Sequence, residues 1–574
     1  MIRARHKRVL PALFRGAPIN ELNNTQQDYM HKIVSSLALS VLAGSLALAF
    51  PAHGQNKARH AATVQEAPLR AHMAFLSSDA LEGRGTGQRG GELTVTYLEN
   101  QALAVGLKPG NGNSFRQAVK IAGVRSLPAK SNIAINAGGA ALPLQFGTDW
   151  VWGPGDGKAD HTLDADLVFV GYGISAPEEG GWNDFKGMDL KGKVLVMLVN
   201  DPAPTAAEPN RFNGAGLTYY GRWTYKFEEA ARQGAAGAIL IHTDASASYG
   251  WSVVQNSWAN AERFQLTEGK VGTGLQGWMT DATARKVFAA GGQDLDQLRA
   301  AAEDKNFKPV TLNARVKGDA RAEVRSLNEF NVAGVVPGTD PKLKDEVVIY
   351  SAHWDHMGKQ GTEGDTIFNG AVDNASGTGA LLAMAAEAVK HPAKRSQMFL
   401  WVGAEEQGLL GSAAYVAAPL WPIEKTAANL NLDSLNWVGL VKDVSVPGSE
   451  RTELGAMAAA TAKSMGLVIA PAKPDLAGGY FRSDHFSFAK AGVPAFSVGA
   501  GRSWVKDVEA NNAKAATYGK KYHQVGDEYD PTWDLSGMVQ QAQFTLNLGR
   551  AVADAPKMPA WKAGDPFGKA RAAK

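Results

Sequence analysis

Short apolar runs and helical periodicities alternate through the second half of the chain. Residues 331–336, 347–350, 397–402, 428–432 and 495–498 read as buried strands, and 376–389, 408–417 and 451–465 carry helix-like patterns between them. Alternation of this kind predicts an α/β fold: a mostly parallel mixed sheet with helices on both faces. The texture between about 150 and 320 differs. Apolar stretches at 166–172, 193–199 and 238–242 are bounded by Gly and Pro, with one helix-like segment at 227–234 and loop-rich sequence around them. This predicts a separate β-rich domain. Near the start, 68–105 reads as two helices split by the Gly-rich SSDALEGRGTGQRGG, and Gly106 is a natural stop for the second.

Residues 33–50 form an apolar run after Lys32, with small residues at Ala52 and Gly54 behind it. That is the pattern of a secretory signal, with an uncleaved anchor as the alternative. Residues 1–29 are polar and basic, so Met30 is the expected translation start. The expected divisions are 1–54 as signal region, 55–149 as the first part of the main domain, 150–320 as an insert, 321–560 as the rest of the main domain, and 561–574 as a basic tail. The chain is thus expected to be exported, to the periplasm or the medium.

Composition narrows the chemistry. The 574 residues carry a formal net charge of +3 and no basic stripe, which argues against a nucleic-acid partner, and no second apolar run suggests a stable membrane partner. Cysteine is absent, so disulfides, thiolate metal sites and cysteine nucleophiles are excluded. Any zinc must use nitrogen and oxygen ligands.

Such residues gather at strand ends of the α/β region, where open sheets bind ligands. His353, Asp355 and His356 follow the 347–350 strand, and Asp373 lies in a loop before the 376–389 helix. Glu405 and Glu406 follow 397–402, and Asp433 follows 428–432. Arg482, Ser483, Asp484 and His485 form one further cluster, and Tyr522 and His523 another. Singly, each has a plain structural explanation: a helix cap, a solvated pair, a satisfied histidine. Their coincidence on one sheet points to a metal centre.

These motifs carry a resemblance. HxD at 353–355, VDNASG at 372–377, GAEEQGLLGS at 403–412, LDS at 432–434, RSDH at 482–485 and YH at 522–523 are similar in residues and spacing to the zinc aminopeptidases of the M28 (aminopeptidase Y) family. LEGRGTG at 81–87 resembles that family's opening, and 192–198 with 227–242 resemble an inserted protease-associated (PA) domain. The resemblance implies a zinc-peptidase, phosphorylase/hydrolase-like fold and two zinc ions bridged by Asp373. His353 and Asp433 complete one ion and Glu406 and His523 the other, leaving His356 and His485 outside the set. Glu405 is then the general base. The resemblance implies further that Asp355 orients His353 and that Tyr522 donates to the oxyanion. Arg482 likewise donates to the oxyanion or holds substrate, Ser483 or Asp484 supports His523, and the Asp373–Asn374 bond is cis. The expected activity is hydrolysis of N-terminal peptide bonds in peptides. The alternatives are a carboxypeptidase or a one-zinc glutaminyl cyclase on the same fold, or a non-catalytic binding protein.

Overall fold

The computed structural model describes residues 62–268 and 272–572, which form one compact unit. The expected signal segment and the proposed start at Met30 lie outside the described residues. Among those residues, no helix is long and apolar enough to cross a membrane.

In chain order, helices α1 (Glu66–Leu76) and α2 (Arg89–Val105) come first, and Gly106 closes α2 at φ 92° as expected. Strands β1 (Arg116–Ser126), β2 (Trp150–Gly153), β3 (Asp160–Phe169) and β4 (Val194–Leu198) follow. Then come α3 (Trp223–Arg232), β5 (Gly237–His242), β6 (Leu275–Thr280) and the long β7 (Val310–Val336). The last part contains β8 (Val347–His353), α4 (Ser376–Lys390), β9 (Ser396–Val402), α5 (Leu410–Ala417) and β10 (Thr426–Asn431). It ends with α6 (Leu454–Ser464), β11 (Ala495–Ser497) and α7 (Ser536–Asp554).

One 15-stranded mixed sheet runs through the described residues, ten of its strands in the order β11-β10-β8-β9-β7-β3-β4-β5-β6-β2 and the rest, β1 among them, branching from this path. β9, β8, β10 and β11 are mutually parallel, as are β3 to β6, while β7 is antiparallel to β9, to β3 and to β1. The 27-residue β7 joins the two regions, and the expected boundary at 320/321 falls inside it. Its burial changes along its length. Leu312, Ala314 and Val316 alternate with exposed neighbours, whereas 331–336 is buried throughout, as a strand covered on both faces must be. The main core draws on α1, α2, β8 to β11 and α7, and separate cores lie under β3 to β6.

The fold class is the expected one: a mixed α/β sheet with helices. The expected strands and helices are present with shifts of a few residues. Helix α7, unforeseen in the sequence, is the main addition. Its buried face includes Gly537, Gln541, Thr545 and Gly549, so small and polar residues interrupt the apolar stripe. The side-chain amide of Gln541 donates to the carbonyl of Val498 and accepts from the N–H of Asn436, which satisfies a buried polar group.

Candidate active site

Every strand that feeds the site is buried through its last residues, so its carboxyl end is a rigid platform. β8 ends at His353, which is 1 % exposed. Thr378 on α4 donates to the His353 carbonyl at 2.7 Å. Asp373 sits in the turn Ala371–Ala375 that opens α4. This turn is fastened by a residue the motif reading passed over. The buried carboxylate of Asp527 accepts from the N–H of Val372 and, at 3.0 Å, from that of Asp373. Asn374, joined to Asp373 by the expected cis peptide, ties the turn to the Asp433 loop. It donates to the carbonyl of Leu432 and accepts from the N–H of Ser434. Gly377 is required here, because a Cβ would lie 2.6 Å from the Leu432 carbonyl.

Arg84, from the LEGRG segment, is a second unforeseen participant. Its guanidinium is fully buried and donates to the carbonyls of Leu76, Trp354, Asn369 and Gly370. It thereby clamps the loops of His353 and Asp373 together without pairing to a carboxylate.

The two oxygens of Asp373 face different neighbours. Oδ1 lies 3.2 Å from Nε2 of His353, which is 3.4 Å from Oδ1 of Asp433. Oδ2 lies 3.2 Å from Nε2 of His523, which is 3.0 Å from Oε2 of Glu406. Zinc bonds of about 2.0–2.1 Å in a tetrahedron place neighbouring ligand atoms about 3.3 Å apart. The donor set therefore fits two cations that share one carboxylate. His353, Asp373 and Asp433 form one compact group of possible ligands, and His356, Asp373 and Glu406 a second. The contact of His356 with Glu406 is a hydrogen bond, however: Nδ1 to Oε1 at 2.6 Å, too short for two ligands of one ion. His356 is fully buried and holds the oxygen of Glu406 that His523 does not face.

Several expected contacts differ. Nδ1 of His353 meets the backbone carbonyl of Asp355 at 3.1 Å, while the Asp355 carboxylate is 3.8 Å away. That carboxylate instead accepts from the N–H groups of Glu405 and Glu406. Ser483 supports Asp433 rather than His523: its hydroxyl donates to Oδ2 at 2.6 Å and accepts from Asn431. Asp484 is buried with neither oxygen hydrogen-bonded. His485 lies outside both groups, packed on Tyr480, and burial lowers it to about 4. Arg482 is exposed and donates to the Ala477 carbonyl. Tyr522 is 49 % exposed and stacks on the His523 ring at 3.9 Å.

Burial raises Glu405 well above the usual carboxylate range; His353 opposes this, and Glu406, Asp484 and Asp433 reinforce it. Burial likewise pushes Asp355 up to about 8. A carboxylate so placed takes up a proton readily, as a base must.

Residues 331–546 match the model of peptidase family M28. This segment is an M28 peptidase domain. It contains every site residue named above except Arg84. No curated protein matches the chain. Among solved structures, an aminopeptidase from Aneurinibacillus sp. strain AM-1 is 19% identical, with a TM-score of 0.45, over 86% of this chain and 95% of that one. A zinc aminopeptidase from Bacillus subtilis is 18% identical, with a TM-score of 0.39, over 85% of this chain and 94% of that one. A peptidase M28 precursor from Shewanella amazonensis is 17% identical, with a TM-score of 0.35, over 87% of this chain and 97% of that one.

Proposed function

We propose that the chain is an exported metallo-aminopeptidase that hydrolyses the N-terminal bond of peptides. The observation that carries this reading is the divided carboxylate of Asp373, with one oxygen toward His353 and Asp433 and the other toward His523 and Glu406. In the proposal these five residues hold two zinc ions. When bound, the ions polarise the scissile carbonyl and supply an activated water. Glu405 takes the proton released there on its carboxylate and returns one to the leaving amine. Asp355 fixes the backbone from which Glu405 projects, Ser483 and His356 orient Asp433 and Glu406, and Tyr522 donates to the developing oxyanion. The region 150–320 acts as a PA-type cover over one side of the cleft and restricts access to peptides. Export rests on the apolar run at 33–50.

A carboxypeptidase is the second reading, because the fold sets Arg222 of this region near Arg482. Metal analysis, paired with peptides of free and blocked N-terminus, decides between the readings. About two zinc per chain, cleavage of free N-termini only, and inactive but metal-replete Glu405→Ala are expected. Cleavage of blocked peptides would establish the carboxypeptidase instead. Inert, zinc-free protein would mean a binding protein.

A further inference from the structure

Arg84 touches the backbone beside the proposed ligands rather than the ligands themselves. Nε donates to the Trp354 carbonyl and Nη2 to the Gly370 carbonyl, both at 2.8 Å. Nη1 donates to the carbonyls of Leu76 and Asn369. Trp354 follows His353, and Gly370 stands just before the turn that carries Asp373. The main-chain carbonyl of Arg84 in turn accepts the N–H of His356 at 3.3 Å. The residue is 0 % exposed, and all four acceptors of its side chain are neutral.

A guanidinium keeps its charge in proteins, and burying that charge is costly unless opposite charge lies near. Carbonyl groups satisfy its N–H donors but carry no net charge. The opposite charge comes from acids that Arg84 does not touch. Asp373, Asp527, Asp355 and Glu406 all act on it electrostatically and oppose the effect of burial, which lowers it to about 10. These carboxylates are themselves buried. They also repel one another: Asp373 acts unfavourably on Glu406, and Glu406 on Asp355. A group of like charges in a desolvated site is unstable without a cation among or beside them. His353, His356 and His523 supply positive charge only when protonated. Arg84 supplies it always.

We propose that Arg84 is the fixed counter-charge of this acid cluster: it lets the site fold before metal arrives, and its charge opposes the cations that later occupy the site. The second half rests on the two-zinc reading, and the first half does not. A counter-charge and a simple backbone clamp predict opposite signs for zinc affinity. Loss of a clamp loosens the loops of His353 and Asp373 and weakens zinc. Loss of a like charge strengthens it, because the coupling between two bound charges is reciprocal.

The test uses Arg84→Lys and Arg84→Gln. Both lose the fork that grips four carbonyls, and only lysine keeps the charge. By competition with a chelator, Arg84→Gln is expected to hold zinc about tenfold more tightly than Arg84→Lys. In excess chelator the order should reverse, with the Tm of Arg84→Lys above that of Arg84→Gln. Equal zinc affinity, or tighter binding by Arg84→Lys, overturns the proposal. So does Arg84→Gln that stays unfolded in saturating zinc, since the cations would then have failed to replace the missing charge. A further comparison needs neither metal nor the lysine variant. Glu406→Gln removes an acid that Arg84 does not touch. In excess chelator it should raise the Tm of Arg84→Gln by about 2 °C or more beyond its effect in the native protein, or restore folding where Arg84→Gln alone has none. Equal shifts in the two backgrounds, as independent sites give, or no restored folding, overturn the counter-charge. Native protein that takes up no zinc removes the two-zinc reading, and the metal-free comparison then decides the role of Arg84 alone. Zinc uptake with equal shifts keeps that reading and removes the counter-charge.

Discussion

The carboxylate of Asp355 accepts the backbone N–H of Glu405 at 3.0 Å and, through its other oxygen, that of Glu406 at 3.3 Å. One buried acid just beyond β8 therefore sets the strand-to-loop turn that carries both the proposed base and a proposed ligand. Asp355→Asn presents an amide to one of those two donors. We expect kcat/KM to fall by about 10–100-fold, as for other outer-shell partners of metal sites. Zinc content should change less than activity. Equal loss of both would place Asp355 in metal binding instead.

Ser483 does comparable work for Asp433. Its hydroxyl donates to Oδ2, leaving Oδ1 toward His353. Ser483→Ala should weaken zinc retention by about tenfold, and Ser483→Thr should restore it. Competition with a chelator measures this directly. An unchanged midpoint in the alanine variant would remove the assignment.

The two histidines beside Glu406 should separate by stoichiometry. Nε2 of His523 lies at ligand-to-ligand distance from both Asp373 and Glu406, whereas His356 makes a 2.6 Å hydrogen bond. His523→Ala should lose about one zinc of two. His356→Ala should keep both under saturating zinc and lose them faster in chelator, as expected for a partner that only orients a ligand. The reverse pattern would make His356 the ligand.

Half of the proposed ligand geometry was legible from strand ends: His353 ends one strand, and Glu406 and Asp433 follow two others within a few residues. Asp373 opens a helix and His523 follows a helical turn, yet the structure brings both beside Glu406. Asp355 and Ser483 were legible as neighbours of the site but not in their partners, because hydrogen-bond direction depends on side-chain rotamers. Arg84 and Asp527 escaped for a different reason. Both act on backbone groups, Arg84 on carbonyls and Asp527 on N–H groups, and sequence spacing carries no trace of such contacts. The pairing of Arg222 with Arg482 was invisible, since it depends on how the insert packs against the peptidase sheet. Helix α7 was obscured by its own packing. Gly549 faces Tyr350 so closely that a Cβ would sit 2.1 Å from the hydroxyl, so the tightest contact is made by the least apolar-looking position.

Stability should depend on pH through Lys226 in the insert. This side chain is fully buried, and Nζ donates to the Asn200 carbonyl at 2.9 Å. The rings of Tyr172 and Tyr225 lie near Nζ, and Asp201, Asp184 and Glu229 act on it electrostatically. Burial lowers Lys226 from its ordinary 10.5 to about 7, with the three acids opposing that shift. Between these values the unfolded chain holds a proton that the folded chain has released. Stability therefore rises with pH from about 7 to about 10.5. Below that window both states are charged and the cost of burying the cation is complete; above it neither is charged. Asp184, raised to about 6 by burial, titrates below the window. Lys226→Met removes the cation and with it this slope. It also leaves the Asn200 carbonyl without its donor, a penalty that does not vary with pH. The informative quantity is thus the difference in Tm between Lys226→Met and the native protein, followed from pH 6 to 10. That difference should favour the variant most at the acid end and shrink steadily toward pH 10. Parallel Tm curves would show that Lys226 stays protonated in the folded protein, held by Asp201 and Asp184.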